Sequence, residues 1–162
     1  MDVSILILNY KTKGLIKQQL KHFFSQSSRL ATEVIVVDNN SDDGVGEMLG
    51  QYYPHVTFVQ AQHNGGYAYG NNIGIRRAKG RYIMIANPDI VLSSTLVEGL
   101  VDFMEANPSV GIAGPRLVNP DGTLQHSCLR FPDMMLPLFR RTFLARTGWG
   151  RRWLSRYFME EW

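Results

Sequence analysis

Short apolar segments alternate with stretches of helical periodicity along the first 115 residues of the chain. The apolar segments are bounded by turn-forming residues, which is typical of buried strands. The predicted strands cover residues 3–8, 33–38, 56–60, 82–86 and 110–115. Apolar residues three and four apart predict helices over residues 13–26, 47–52, 67–79, and from Ser93 or Ser94 to about residue 107.

This alternation, with its short connections, predicts an α/β fold with a mostly parallel sheet and helices on both faces. After it, the sequence Asn119-Pro120-Asp121-Gly122 is a strong turn signal, and it predicts a hairpin between residues 117–118 and 124–128. Residues 133–162 mix arginine with large apolar residues and predict one or two amphipathic helices. We therefore expect an α/β domain over residues 1–132 and a helical tail over 133–162.

The predicted strands end in polar side chains. Asn9 and Tyr10 follow the first strand, Asp38 and Asn40 the second, and Asn87 and Asp89 the fourth. Because the carboxyl ends of parallel strands meet at one edge of a sheet, these side chains predict a ligand site there. The stretch His63-Asn64-Gly65-Gly66 adds paired glycines at the start of a predicted helix, where backbone N–H groups favour an anion.

Each candidate also has a plain structural interpretation. Asp38 suits the cap of a helix, Tyr10 suits half-buried packing, and Asn87-Pro88-Asp89 suits a tight turn. Taken together they fit a nucleoside diphosphate better, with Tyr10 stacking on the base and Asp38 bonding the base or ribose. Asp89 would hold Mg²⁺ or Mn²⁺ together with the diphosphate oxygens. Asn71 is a poor helix former in mid-helix and joins the candidates.

Composition narrows the class of protein. The chain has 162 residues and a single cysteine, Cys128, which excludes an internal disulfide and a cysteine-based zinc site. No apolar stretch approaches the roughly 20 residues of a membrane span, and the start of the chain does not resemble a signal peptide. We expect a cytoplasmic protein.

The net charge of +3 is unevenly distributed. Residues 137–162 contain six arginines and two glutamates, a net charge of +4, whereas residues 1–136 carry eleven basic and twelve acidic residues. The body therefore gives no reason to expect nucleic-acid binding. The arginines of the tail alternate with aromatic residues, which predicts either contact with the cytoplasmic face of the inner membrane or packing against a further part of the protein.

The chain resembles the inverting family 2 glycosyltransferases of GT-A fold, in particular the bacterial branch that includes rhamnosyltransferases. The resemblance covers residues 1–132. Its matching segments are VSILILNY (3–10), EVIVVDNNSDDG (33–44), NGGYAYGNNIGI (64–75), YIMIANPD (82–89), VGIAGPRL (110–117) and NPDGTLQ (119–125).

The resemblance implies transfer of a sugar, with inversion, from a dTDP- or UDP-sugar to a surface polysaccharide or lipid-linked acceptor. Asp89 would be the metal ligand, and Asn87 stands where the family's D-x-D motif has its first acid. The implied donor-binding residues are Asn9, Tyr10, Asp38, Asn40, Asn64, Gly66, Asn71 and Asn87.

No segment matches the family's acidic motif for the general base, and the surroundings of Glu160 and Glu161 do not fit it. We therefore expect the base to lie beyond Trp162. The alternative is a non-catalytic fragment that binds donor or membrane. A nucleotidyltransferase is disfavoured because no glycine-rich basic loop follows the first strand.

Overall fold

The computed structural model describes residues 1–119, 121–125, 127, 129–132 and 134–159. They form two compact units, Met1–Ala113 and Gly114–Trp162. The strands of the first unit are β1 (Val3–Asn9), β2 (Thr32–Asp38), β3 (Thr57–Gln60) and β4 (Tyr82–Ala86). Its helices are α1 (Lys13–Phe24), α2 (Val45–Tyr52), α3 (Gly66–Ile75) and α4 (Ser94–Ala106).

The four strands form one parallel sheet in the order β3-β2-β1-β4. Its register aligns the strand ends that the sequence singled out. Asn9 at the end of β1 pairs with Asp38 at the end of β2, and Asp38 pairs with Gln60 at the end of β3. The predicted parallel α/β architecture is therefore confirmed.

Both faces of the two central strands, β1 and β2, are covered, whereas Ile83 and Ile85 of the edge strand β4 are 45% exposed. On one face the side chains of Ile5, Ile7 and Val36 pack in the main core, together with apolar residues of α1, α2 and α4. On the other face Leu6, Leu8, Ile35 and Val37 pack against Ile73 and Ala78, in and after α3. Helix α3 lies close to the sheet because glycines face it: a Cβ on Gly70 would lie 2.2 Å from Leu8 Cδ1.

One predicted strand was wrong. Residues 110–115 form no strand, and Ile112 is 93% exposed. Gly111, Gly114 and Pro115 weaken this segment as a strand. The hairpin predicted at 117–128 is present in short form, with an antiparallel bridge between Val118 and Leu124 and a hydrogen bond from the Gln125 N–H to the Leu117 carbonyl (3.0 Å). Pro120, His126 and Cys128 lie outside the described residues.

The helix predicted over 67–79 ends earlier, at Ile75. Beyond it, the backbone N–H groups of Lys79 and Gly80 donate to Ser4 Oγ at the start of β1 (3.1 and 2.7 Å). A Cβ on Gly80 would lie 2.4 Å from the Ser4 nitrogen, so only glycine permits this approach. The helix therefore stops because its C-terminal connection is bound to the sheet.

The second unit contains α5 (Leu136–Arg141), a 3₁₀ turn (Phe143–Arg146) and α6 (Gly148–Tyr157), which confirms the helical prediction for the tail. Phe139 is fully buried, and its ring stacks on that of Trp153 with centroids 4.9 Å apart. The predicted functional boundary after residue 132 stays a prediction. None of the described helices is long and apolar enough to cross a membrane.

Candidate functional site

A buried polar network joins the ends of β1 and β2. Asn9 is fully buried, and its Nδ2 donates to Asp38 Oδ1 (2.8 Å) and to Ser41 Oγ (2.7 Å). Asn9 Oδ1 accepts hydrogen bonds from the backbone N–H and the hydroxyl of Thr12 (3.1 and 2.9 Å). This one side chain therefore connects the start of α1 to the turn after β2, and it fixes the floor of the candidate site.

Asp38 lies at the centre of this network and is only 3% exposed. Its Oδ1 accepts from Asn9 and Ser41, and its Oδ2 accepts from the Ser41 backbone N–H (3.2 Å) and from Gln60 Nε2 (2.9 Å). Burial opposes ionisation of this carboxyl, but the hydrogen bonds from Ser41, Gln60 and Asn9 outweigh it and lower the pKa of Asp38. An N–H or O–H group of a ligand would therefore have to replace one of the present partners of Asp38. Among these partners, Gln60 is the exposed residue.

A cavity of about 520 Å³ opens beside Asp38, between the end of β2, the start of α2 and β3. Its wall includes the ring of Phe58 and the side chain of Gln60. The lining carboxylates are those of Asp38, Asp42, Asp43 and Glu47. So many acids favour a ligand part that offers N–H and O–H donors, such as a base or ribose, over a phosphate.

The turn after β2 uses backbone conformations that explain its sequence. Asn40 and Asp42 adopt left-handed φ angles of 60° and 51°, and Gly44 follows at 74°. Asparagine, aspartate and glycine are the residues that tolerate this region best. Asn40 lines the cavity, and its role in donor binding stays a prediction.

Asn39 connects this turn to the glycine loop. It is 3% exposed, and its Nδ2 donates to Asn64 Oδ1 (2.7 Å) while its Oδ1 accepts from the Gly65 backbone N–H (3.2 Å). Asn64 Oδ1 also accepts from the Gly66 N–H (3.0 Å). Side chains therefore already use the two glycine N–H groups that were expected to bind an anion.

Gly65 and Gly66 each require glycine, for two different steric reasons. A Cβ on Gly65 would lie 2.3 Å from the ring of Tyr69, and Gly66 has a φ of +83°. Asn71, in mid-helix, is buried and donates from Nδ2 to the Tyr67 carbonyl (3.0 Å). Its bond is thus to its own helix.

The turn after β4 carries Asn87 and Asp89, both exposed. The Tyr67 hydroxyl donates to Asn87 Oδ1 (3.0 Å). From the other side, Gln19 Nε2 donates to the carbonyls of Asn87 (2.8 Å) and Ile90 (3.2 Å). The turn is therefore held by α1 and by α3.

Two further observations complete the site, one on Tyr10 and one on metal ligands. Tyr10 is 45% exposed beyond the end of β1, so that its ring is available for stacking. Within the described part of the chain, no group of three or more His, Cys, Asp or Glu could hold a metal ion. A metal at Asp89 would need its remaining ligands from elsewhere.

Sequence reasoning missed Asn39, Gln19 and Tyr67. Asn39 lay within a run of turn-forming residues, where one buried member cannot be distinguished by composition. Gln19 had a usable signal, because it shares the apolar face of α1 with Ile16 and Leu20. A polar residue at such a position needs a specific partner.

Comparison with known proteins agrees with this architecture. The sequence model for "Glycosyl transferase family 2" matches residues 4–156. The chain belongs to glycosyl transferase family 2. A low-salt glycan biosynthesis hexosyltransferase of Haloferax volcanii is 30% identical over 127 residues, covering 75% of this chain and 38% of the relative.

An N-acetylglucosaminyl-diphospho-decaprenol L-rhamnosyltransferase of Mycobacterium tuberculosis is 28% identical over 127 residues, covering 69% of this chain and 41% of the relative. The chain thus spans about two fifths of the length of these relatives.

Among solved structures, a mannosyltransferase from Pyrobaculum calidifontis in complex with GDP-Man and Mn²⁺ is 26% identical with a TM-score of 0.64, covering 74% of this chain and 36% of that one. TarS of S. aureus matches with a TM-score of 0.58 at 18% identity, covering 72% and 39%. The fold is therefore GT-A, as the sequence predicted.

Proposed function

We propose that this family 2 domain binds a nucleoside diphosphate sugar and acts as the donor-binding part of an inverting glycosyltransferase. The observation that carries the proposal is the continuous polar network at the carboxyl edge of the sheet. Asn9 links β1 to Asp38, and Asn39 links the same turn to Asn64 and the glycine loop. Three strand ends and a cavity thus share one preorganised edge, which is where open α/β sheets bind ligands.

The base and ribose are assigned to the acidic cavity beside Asp38 and Asn40, with Tyr10 stacking on the base. A base N–H would reach Asp38 by displacing Gln60. The diphosphate is assigned to the other end of the edge, near Gly66, Asn87 and Asp89. This orientation is favoured because the carboxylates of the cavity would repel phosphate.

A divalent metal fits the residues at that end. Asp89 offers one exposed carboxylate, and oxygen ligands from a single acid plus a diphosphate are a usual set for Mg²⁺ or Mn²⁺. When bound, the metal would neutralise charge on the leaving diphosphate. The mannosyltransferase complex with GDP-Man and Mn²⁺ supports this part of the proposal by similarity.

The acceptor is proposed to be a glycan or a lipid-linked saccharide, in line with the names of the two curated relatives. An inverting displacement needs a base on the face opposite the leaving group. None of the described acids matches that role by its sequence context, and the general base is left unassigned. The resemblance to rhamnosyltransferases favours uridine or thymidine as the base of the donor, and this stays a proposal.

The test is calorimetric titration with UDP-, dTDP- and GDP-sugars, each in Mn²⁺ and in EDTA. We expect saturable binding of at least one donor, strengthened by the metal and weakened by Asp89→Ala. Asp102→Ala is the matched control, because Asp102 is an exposed carboxylate on α4 whose ion pair with Arg29 contributes little. Absence of binding by every donor, or an unchanged Asp89→Ala protein, would refute the assignment.

The second unit supports one more proposal, a peripheral contact with anionic membrane. Its arginines 140, 141, 146, 151, 152 and 156 are exposed and form no ion pair among the described residues. Phe143 and Trp149 are 77% and 63% exposed beside them. Sedimentation with vesicles containing phosphatidylglycerol tests this, and absence of binding to these vesicles would argue for packing against a further part of the protein instead.

A further inference from the structure

The turn at residues 87–90 is held by two side chains that were not among the predicted site residues. Gln19 reaches it from α1 and bonds its backbone, and Tyr67 reaches it from α3 and bonds the side chain of Asn87. Asp89 lies in the middle of this turn and is exposed. The direction of its carboxylate therefore depends on how the turn is fixed.

Gln19 occupies a position where an apolar residue would be expected. It is 5% exposed on the face of α1 that buries Ile16 and Leu20. Its Nε2 serves two carbonyls of the turn, whereas its Oε1 is the one buried side-chain polar atom without a partner in the part of the chain that the structure describes. An unsatisfied buried acceptor is costly, so this amide is best explained by what its nitrogen holds.

Tyr67 connects the same turn to the glycine loop. It follows Gly66 directly, and the Gly66 carbonyl and N–H are bonded by Asn39 Nδ2 (3.3 Å) and Asn64 Oδ1 (3.0 Å). The Tyr67 hydroxyl then donates to Asn87 Oδ1 (3.0 Å). The oxygen that would be a metal ligand if Asn87 acted like an acid is therefore already engaged by the protein.

We infer that Gln19 and Tyr67 are positioning residues for the metal–diphosphate end of the donor site. Asn87 links the turn to α3, and Asp89 is left as the protein's ligand. Together, Gln19 and Tyr67 hold the turn in the position in which the Asp89 carboxylate can bind the metal. Because the turn is already ordered before the donor arrives, less ordering is needed on binding. The inference rests on the proposed donor site.

The experiment compares Gln19→Met and Tyr67→Phe with the unmodified chain. Met conserves volume in the core, and Phe removes only the hydroxyl. Tyr69→Phe is the control, since the Tyr69 hydroxyl, in the same helix, makes no hydrogen bond among the described residues. Calorimetry measures the dissociation constants of UDP, dTDP and GDP in Mn²⁺ and in EDTA, and the ratio of the two values reports the metal's contribution.

We expect the ratio to fall about threefold to tenfold in Tyr67→Phe, which loses one hydrogen bond, and at least as much in Gln19→Met, which loses two, with affinity in EDTA unchanged. Tyr69→Phe should match the unmodified chain. A ratio that does not change in folded variants, or equal losses in EDTA and Mn²⁺, would overturn the inference.

A second measurement separates this inference from the proposed function. Mn²⁺ added alone should broaden the NMR amide signals of Asn87, Asp89 and Ile90, and the two variants should need more Mn²⁺ for the same broadening. If the unmodified chain binds no diphosphate but this pattern is found, the donor proposal fails and the positioning role stands. If the turn shows no broadening, or if the variants titrate like the unmodified chain, the positioning role is wrong.

Discussion

Substitution of Asn39 by alanine is expected to damage both stability and donor binding. The buried amide donates to Asn64 Oδ1 at 2.7 Å and accepts from the Gly65 N–H at 3.2 Å. A net hydrogen bond is worth about 1 kcal/mol, and partners left buried without water cost more. With the longer bond from Nδ2 to the Gly66 carbonyl at 3.3 Å, three bonds are lost. A decrease of about 3 kcal/mol in the free energy of unfolding is therefore expected.

Chemical denaturation measures this loss, and Asn72→Ala is its matched control. Asn72 is an exposed asparagine in α3, where alanine should be neutral or stabilising by about 0.5 kcal/mol. The glycine loop should also become less ordered, so that donor affinity falls in the Asn39→Ala protein alone. If Asn39→Ala and Asn72→Ala unfold at the same denaturant concentration, the network does not hold the loop and the reasoning is refuted.

Three further outcomes are expected. Gly70→Ala should lower the free energy of unfolding by about 1–3 kcal/mol, because its Cβ would lie 2.2 Å from Leu8 Cδ1. Gly50→Ala in α2 is the control, since Gly50 has open space around it and the substitution should not lower stability. Denaturation curves compare the two variants, and equal curves would contradict the packing of α3 on the sheet. Since the pKa of Asp38 is lowered, its stabilising contribution is complete above about pH 4 and is lost as the pH falls through the folded value. Melting temperatures between pH 6 and 2 should show a shallower acid decline in Asp38→Asn, and parallel curves would contradict this. Gln60→Leu should increase the accessibility of Asp38 and alter the base preference in a donor titration, and an unchanged preference would exclude Gln60 from the site.

The sheet was predictable because its physical signal is strong. Buried parallel strands read as continuous apolar runs, and β1 and β2 are buried along almost their whole length. The segment at 110–115 also carries apolar residues but forms no strand, since its glycines and proline weaken it and pairing depends on a neighbouring strand that local sequence does not specify. Local pattern therefore identified strand character and not strand pairing.

The candidate site was predictable in outline only. Asn9, Asp38 and Asn40 follow from the rule that parallel strands end at one edge, and the structure brings them together around one network and one cavity. Gln19 and Tyr67 act across the fold on residues 68 and 20 positions away. Contacts of that range depend on how the helices pack, which residue spacing does not encode.

The most direct test of the central claim is donor binding by this chain itself. Calorimetric titration of UDP-, dTDP- and GDP-sugars with Mn²⁺ should give saturable binding for at least one donor. Asp89→Ala should remove the increase in donor affinity that Mn²⁺ causes, whereas Asp102→Ala should retain it. Failure of all three donors to bind the folded chain would contradict the account.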